Sequence, residues 1–205
     1  MIAYGCCVGS WDKFERWVKR SDSQLLYALG GQGSIAVAYN EILNTVKMRS
    51  GVRALVLQHD DLQITDPDFE YKVLGAFVPD DVALVGVAGG QGITSLAWWN
   101  ANTYGHQMLD SGLLDFGLRT GDVDLLEGSL LIFSRWAIDH LRFDLRFSGF
   151  HGYDDIAMTA TREWGRRAVV ADISTHHHTS LGFKTEQNEK AWLAANELFR
   201  QKWGL

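Results

Sequence analysis

Positive charge is in short supply in this chain, with 19 Lys and Arg against 25 Asp and Glu and a formal net charge of −6. That balance excludes a partner held through a broad basic face, nucleic acid above all, because phosphate binding needs clustered cations. Cysteine is nearly absent too: the only two, Cys6 and Cys7, are neighbours and cannot form an unstrained disulfide, which favours a reduced, cytoplasmic setting. No uninterrupted apolar stretch is long enough to cross a membrane. Val82 to Gly105 carries no charge, but Gly86, Gly89, Gly90, Gln91, Gly92, Asn100 and Asn102 break it up. The first ten residues lack a basic leader and read as a short buried strand. No His-Glu-x-x-His pair occurs, and neither Gly30-Gly-Gln-Gly33 nor Gly89-Gly-Gln-Gly92 is followed by Gly-Lys-Ser/Thr, so the usual zinc-hydrolase and phosphate-loop signatures are missing.

What is present describes one globular α/β domain over residues 1–205, 46% hydrophobic and able to bury a sizeable core. Strand candidates are Ile2 to Val8, Ala54 to Gln58, Ala83 to Ala88, Leu125 to Phe133 and Ala168 to Ile173. Helical spacing marks Trp11 to Lys19, a helix capped by Ser34 with Ile35, Ala38, Ile42 and Val46 on one face, Phe69 to Leu74, Asp154 to Trp164 closed by Gly165, and Lys190 to Trp203. Ser95 to Gly121, rich in Trp, Asn, Tyr and Gly, reads as an irregular, substrate-facing excursion.

Polar chemistry gathers at three element ends, where α/β folds place their sites. His59-Asp60-Asp61 follows an apolar strand; adjacent carboxylates fit a divalent cation with a diphosphate, the alternative being a solvated turn. Gly149-Phe-His-Gly-Tyr-Asp-Asp155 feeds two carboxylates into a helix start, one available as a cap and the other as a base. In His176-His177-His178, extended backbone puts His176 and His178 on one face and His177 on the other, leaving open which of them would hold a metal and whether any does.

The order of Ser34-Ile-Ala-Val-Ala-Tyr-Asn40, Leu57-Gln-His-Asp-Asp-Leu62, Glu127-Gly128, Arg142-Phe-Asp144, Gly149-Phe-His-Gly-Tyr-Asp154, His178-Thr-Ser-Leu-Gly182 and Lys202-Trp203 resembles the GT-A glycosyltransferases. Within them it is most similar to the family-2-like group that includes the streptomycin-biosynthesis-type domain. The resemblance implies a Rossmann-like domain with a mostly parallel central sheet flanked by helices. Its nucleotide-binding part would cover about residues 1–90, and its acceptor and catalytic part about residues 91–205.

It further implies an inverting sugar transferase using a nucleotide-diphosphate donor, a hydroxyl acceptor and Mn²⁺ or Mg²⁺. Asp61 and His178 would hold the metal, with His176 as the alternative. Val8, Gly9, Ser10, Asn40, His59 and Asp60 would face the nucleotide sugar, and Asp154 would be the catalytic base. Glu127, Gly128, His151 and Asp155 would lie toward the acceptor, with Asp155 chiefly a helix cap or a support for Asp154. His59 departs from the family's usual first Asp, and Glu127 and Tyr153 replace an Asp and a Glu. A sugar-nucleotide-binding module without turnover and a metal-dependent hydrolase are the other readings, and a homo-oligomer is compatible with all three.

Overall fold

The computed structural model describes residues 1–18, 25–147, 152–179 and 185–205. Its strands are β1 (Ile2–Val8), β2 (Leu26–Gly30), β3 (Ala54–His59), β4 (Leu62–Ile64), β5 (Val82–Gly86), β6 (Ala88–Gln91), β7 (Asn102–Leu109), β8 (Gly112–Asp115), β9 (Gly121–Val123), β10 (Leu125–Leu126), β11 (Leu130–Ser134), β12 (Arg167–Val170) and β13 (Thr175–His177). The helices are α1 (Trp11–Lys13, continuing as a wider turn over Phe14–Val18), α2 (Ile35–Lys47), α3 (Phe69–Ala76), α4 (Arg135–His140), α5 (Ile156–Met158, continuing over Thr159–Glu163) and α6 (Glu186–Trp203).

A seven-stranded sheet in the order β2-β1-β3-β11-β5-β12-β9 forms the centre. Five of these strands run the same way and only β11 and β9 oppose them, which gives the mostly parallel sheet expected. β3, β5 and β11 are near-continuous apolar runs because helices or loops cover both faces. On one face Tyr39, Ile42, Leu43 and Val46 of α2 pack with Leu55, Leu57, Phe133 and Ile156. On the other, Phe69 and Val73 of α3 meet Val56, Val85 and Ile132.

A second, six-stranded sheet, β10-β6-β7-β13-β4 with β8 on β7, corrects the reading of Ser95 to Gly121 as irregular. β7 does alternate, but its buried positions are Gly105, Gln107 and Leu109, so the period-2 signal is not an apolar one. Gly105 sits at φ +95°, and a Cβ there would overlap the Val87 carbonyl, so the close β6–β7 approach requires glycine.

Two expected strands are also divided, and a third is shortened. Ala83 to Ala88 splits at Val87, and Leu125 to Phe133 splits at Glu127-Gly128-Ser129, each half entering a different sheet. Ala168 to Ile173 ends at Val170, after which the chain crosses to the second sheet as β13. Asp66 fixes that crossing: its carboxylate accepts from the backbone of Asp68 and Ser174 and pairs with Lys72 at 2.7 Å. α6 begins earlier than the apolar spacing indicated because Thr185 caps it, accepting from Asn188 N.

Candidate active site and metal-binding groups

β3, an interior strand, ends at His59, and the turn that follows is tightly held. The buried Gln58 side chain donates to the Leu62 carbonyl at 2.9 Å, while Tyr39 donates to the Gln58 carbonyl. The two carboxylates in the turn point to different tasks. Asp60 Oδ2 accepts from the backbone N–H groups of Gly9 (2.8 Å) and Ser10 (2.6 Å), tying the loop after β1 to the turn. Asp61 instead accepts from Lys13 Nζ at 2.9 Å and lies 3.1 Å from His177 Nε2. Burial alone would push the Asp61 carboxyl up, but hydrogen bonds from His177 and Lys13 and the charges of His177 and His59 outweigh it, leaving it well below the usual carboxylate range.

His59, Asp61 and His177 thus form a group whose ligand atoms lie within 4.8 Å of one another. Two imidazoles and one carboxylate suit Mn²⁺ or Zn²⁺ better than Mg²⁺, which prefers oxygen. The Lys13 ammonium on Asp61 shows that the position already attracts a cation.

The alternation of β13 is as expected, and its register decides which histidine meets Asp61. β13 pairs with β4 as His176 with Gln63 and His177 with Leu62, which turns His177 toward Asp61. His178 and His176 face away, both against Asp110 Oδ1 at 3.1 and 3.0 Å. Asn40 also departs from expectation: its amide exchanges hydrogen bonds of 2.9 and 2.8 Å with the backbone of Phe143, so it clips α2 to the segment after α4.

On the other side of His59, its Nε2 lies 2.6 Å from the Tyr153 hydroxyl. Tyr153 is buried, which with the neighbouring Asp154, Tyr39, Glu127 and Asp61 charges keeps its phenol protonated far above its ordinary range. Asp154 is buried beside it, against Gly128. A Cβ at Gly128 would overlap both Asp154 Oδ1 and Tyr153 Cε2, so this glycine is fixed by close approach. Glu127 accepts from the backbone N–H and the hydroxyl of Ser129, and Ser129 Oγ accepts from Gln107 Nε2 at 2.8 Å. The Ser129 carbonyl in turn accepts from His59 N, joining the Glu127-Gly128 loop to the β3 end.

Asp155 makes no capping bond and corrects that half of its expected role. It pairs with Lys202 Nζ at 2.6 Å and accepts from Trp203 Nε1 at 2.6 Å; Lys202 also reaches Asp144 at 3.2 Å. Burial raises its carboxyl despite these partners. His151 lies outside the described residues. Lys13 and Asp110 were not singled out from sequence and carried no signal there, whereas His177 was one of the three histidines left open, on the opposite face of the strand from His176 and His178.

A family model described as "Glycosyltransferase like family" matches residues 4–201. The chain belongs to this glycosyltransferase-like family. It is 30% identical over 207 residues to "Streptomycin biosynthesis protein StrF" of Streptomyces griseus, covering 94% of this chain and 73% of that protein. Among solved structures it resembles A197 from STIV, with a TM-score of 0.58, 13% identity and coverage of 87% of this chain and 86% of that one. It is also similar to GalNAc-T7 solved with UDP, GalNAc and Mn²⁺ (TM-score 0.59, 9% identity, 95% of this chain and 47% of that one). A third likeness is to the mannosyltransferase PcManGT from Pyrobaculum calidifontis solved with GDP-Man and Mn²⁺ (0.53, 12%, 91% and 58%). These likenesses place the chain in the GT-A fold, and it spans about half the length of the last two. Among the described residues no helix is long and apolar enough to cross a membrane.

Proposed function

We propose that this chain transfers a sugar from a nucleotide-diphosphate donor to an acceptor hydroxyl, with inversion at the anomeric carbon. The observation that carries the reading is one continuous constellation: His59, Asp61 and His177 grouped for a divalent cation, and His59 bonded through Tyr153 to the segment holding Asp154. Family membership, the UDP, GalNAc and Mn²⁺ named with GalNAc-T7, and the GDP-Man and Mn²⁺ named with PcManGT support it. The donor would lie over the β1 and β3 ends within about residues 1–90, and the acceptor toward residues 91–205.

His59, Asp61 and His177 would hold Mn²⁺, or less suitably Mg²⁺. A cation there supplies positive charge against the departing diphosphate. Lys13 adds a second positive charge at the same place. Asp60 keeps the Val8-Gly9-Ser10 loop against the turn, shaping the nucleotide side. Tyr153 orients His59 and stays protonated while doing so. Asp154 takes the acceptor proton as the hydroxyl attacks the face opposite the leaving group. Asp155, held by Lys202 and Trp203, fixes the backbone that aims Asp154. Glu127 and Gly128 form the adjoining wall on the acceptor side.

Asp154→Asn keeps size while removing the proton acceptor. Transfer should fall roughly 10²-fold or more with donor affinity nearly unchanged. Full transfer in that variant sinks the assignment of the base. A parental chain that binds sugar nucleotide and never turns it over with any hydroxyl acceptor would instead be a binding module. Equal turnover without an acceptor would make it a hydrolase.

A further inference from the structure

We propose that Asp110, His176 and His178 form a second cation site, for a zinc-class divalent ion, on the opposite face of β13 from the first group. His176 Nε2 and His178 Nδ1 lie 3.0 and 3.1 Å from the same Asp110 Oδ1, and the three ligand atoms lie within 4.8 Å of one another. Tetrahedral ligands held at about 2.0–2.1 Å from zinc stand roughly 3.3 Å apart, so the two imidazole–Asp110 separations need to open by only a few tenths of an ångström. Two imidazoles with one carboxylate and a water is a donor set for zinc, cobalt or nickel rather than for magnesium.

The surroundings orient the histidines as ligands. His178 Nε2 faces Gln63 Oε1 at 3.4 Å, so an Nε2–H donated to Gln63 leaves the Nδ1 lone pair directed at the ion. The Trp17 ring stacks on His178 at 3.5 Å with 17° between the planes, fixing the ring's plane. Asp110 stands in the turn between β7 and β8 with its side chain 57% exposed, which leaves a route for the ion and a place for water.

The two groups share no ligand, because His177 projects to one side of the strand and His176 and His178 to the other. They share backbone: His178 N donates to the Asp61 carbonyl at 2.7 Å. An ion on the outer face would therefore clamp β13 to the β7–β8 turn and hold His177 in register, without touching the substrate. This site does not depend on the proposed transferase reaction.

The test uses untagged full-length chain carrying Asp61→Asn and His177→Ala, which silence the first group. Titration with Co²⁺ alone should give one equivalent with the intense visible bands of tetrahedral cobalt, displaced by Zn²⁺. Adding Asp110→Asn or His176→Ala should weaken this binding at least tenfold. No tetrahedral spectrum, or binding indifferent to Asp110→Asn and His176→Ala, overturns the site. Should the double variant fail to fold, the zinc stoichiometry of the parental chain replaces it. It should fall from two to one with Asp110→Asn, and an unchanged count overturns the proposal equally.

Discussion

His177 Nε2 lies 3.1 Å from Asp61 Oδ1 although 116 residues separate them in the chain. The contact joins the turn after β3 to a strand of the second sheet, and it places His177, not His178, in the proposed first cation group. His177→Ala should weaken Mn²⁺ binding at least tenfold, whereas His178→Ala should change it by less than about threefold. Calorimetric titration of both variants checks this; equal losses would reassign the ligand.

The Asp61 carboxyl gives a pH signature. Its folded-state pKa lies below the unfolded value near 3.8, so its stabilising contribution is present above that value and is lost as pH falls through it toward the folded pKa. Metal-free parental protein should therefore lose more stability than Asp61→Asn does as pH falls below about 4. Urea unfolding at several pH values would measure both curves, and parallel curves would contradict the linkage.

Gly128→Ala should cost about 1–3 kcal/mol, since the added methyl displaces Asp154 and Tyr153 from a packed contact. Because Tyr153 orients His59, metal affinity should fall together with stability. A variant with normal metal binding would separate the Gly128 wall from the cation group.

Lys202→Met leaves the buried Asp155 carboxylate with only Trp203 and should destabilise the fold by ~3 kcal/mol. Restoring neutrality with Asp155→Asn in the same chain should recover much of that loss. Thermal unfolding of the two variants compares them, and no recovery would mean that packing, not charge pairing, dominates there.

The middle of the central sheet was legible because β1, β3 and α2 carry strong local patterns, whereas its edge strands β2 and β9 were not among the strand candidates. Apolar runs buried on both faces and a regular helical stripe need no distant partner to be recognised. The second sheet was not, because β6 and β7 are built on glycine and buried glutamine, whose roles exist only when the strands approach each other. The His59-Asp60-Asp61 turn and Asp154 stand out from sequence as functional candidates by residue type and place. That Asp60 would bind the β1 loop, that Asn40 would clip Phe143, and which face of β13 meets Asp61 are matters of register between segments far apart, to which a local pattern is blind.

The pairing of Asp155 with Lys202 has a consequence for biosynthesis. During synthesis from the N-terminus, Asp155 emerges 47 residues ahead of its cation. Until then Asp155, which the fold buries, must remain hydrated or protonated. The nascent chain therefore lacks the partner of this carboxylate until α6 is made, since Lys202 lies in the last turn of that helix.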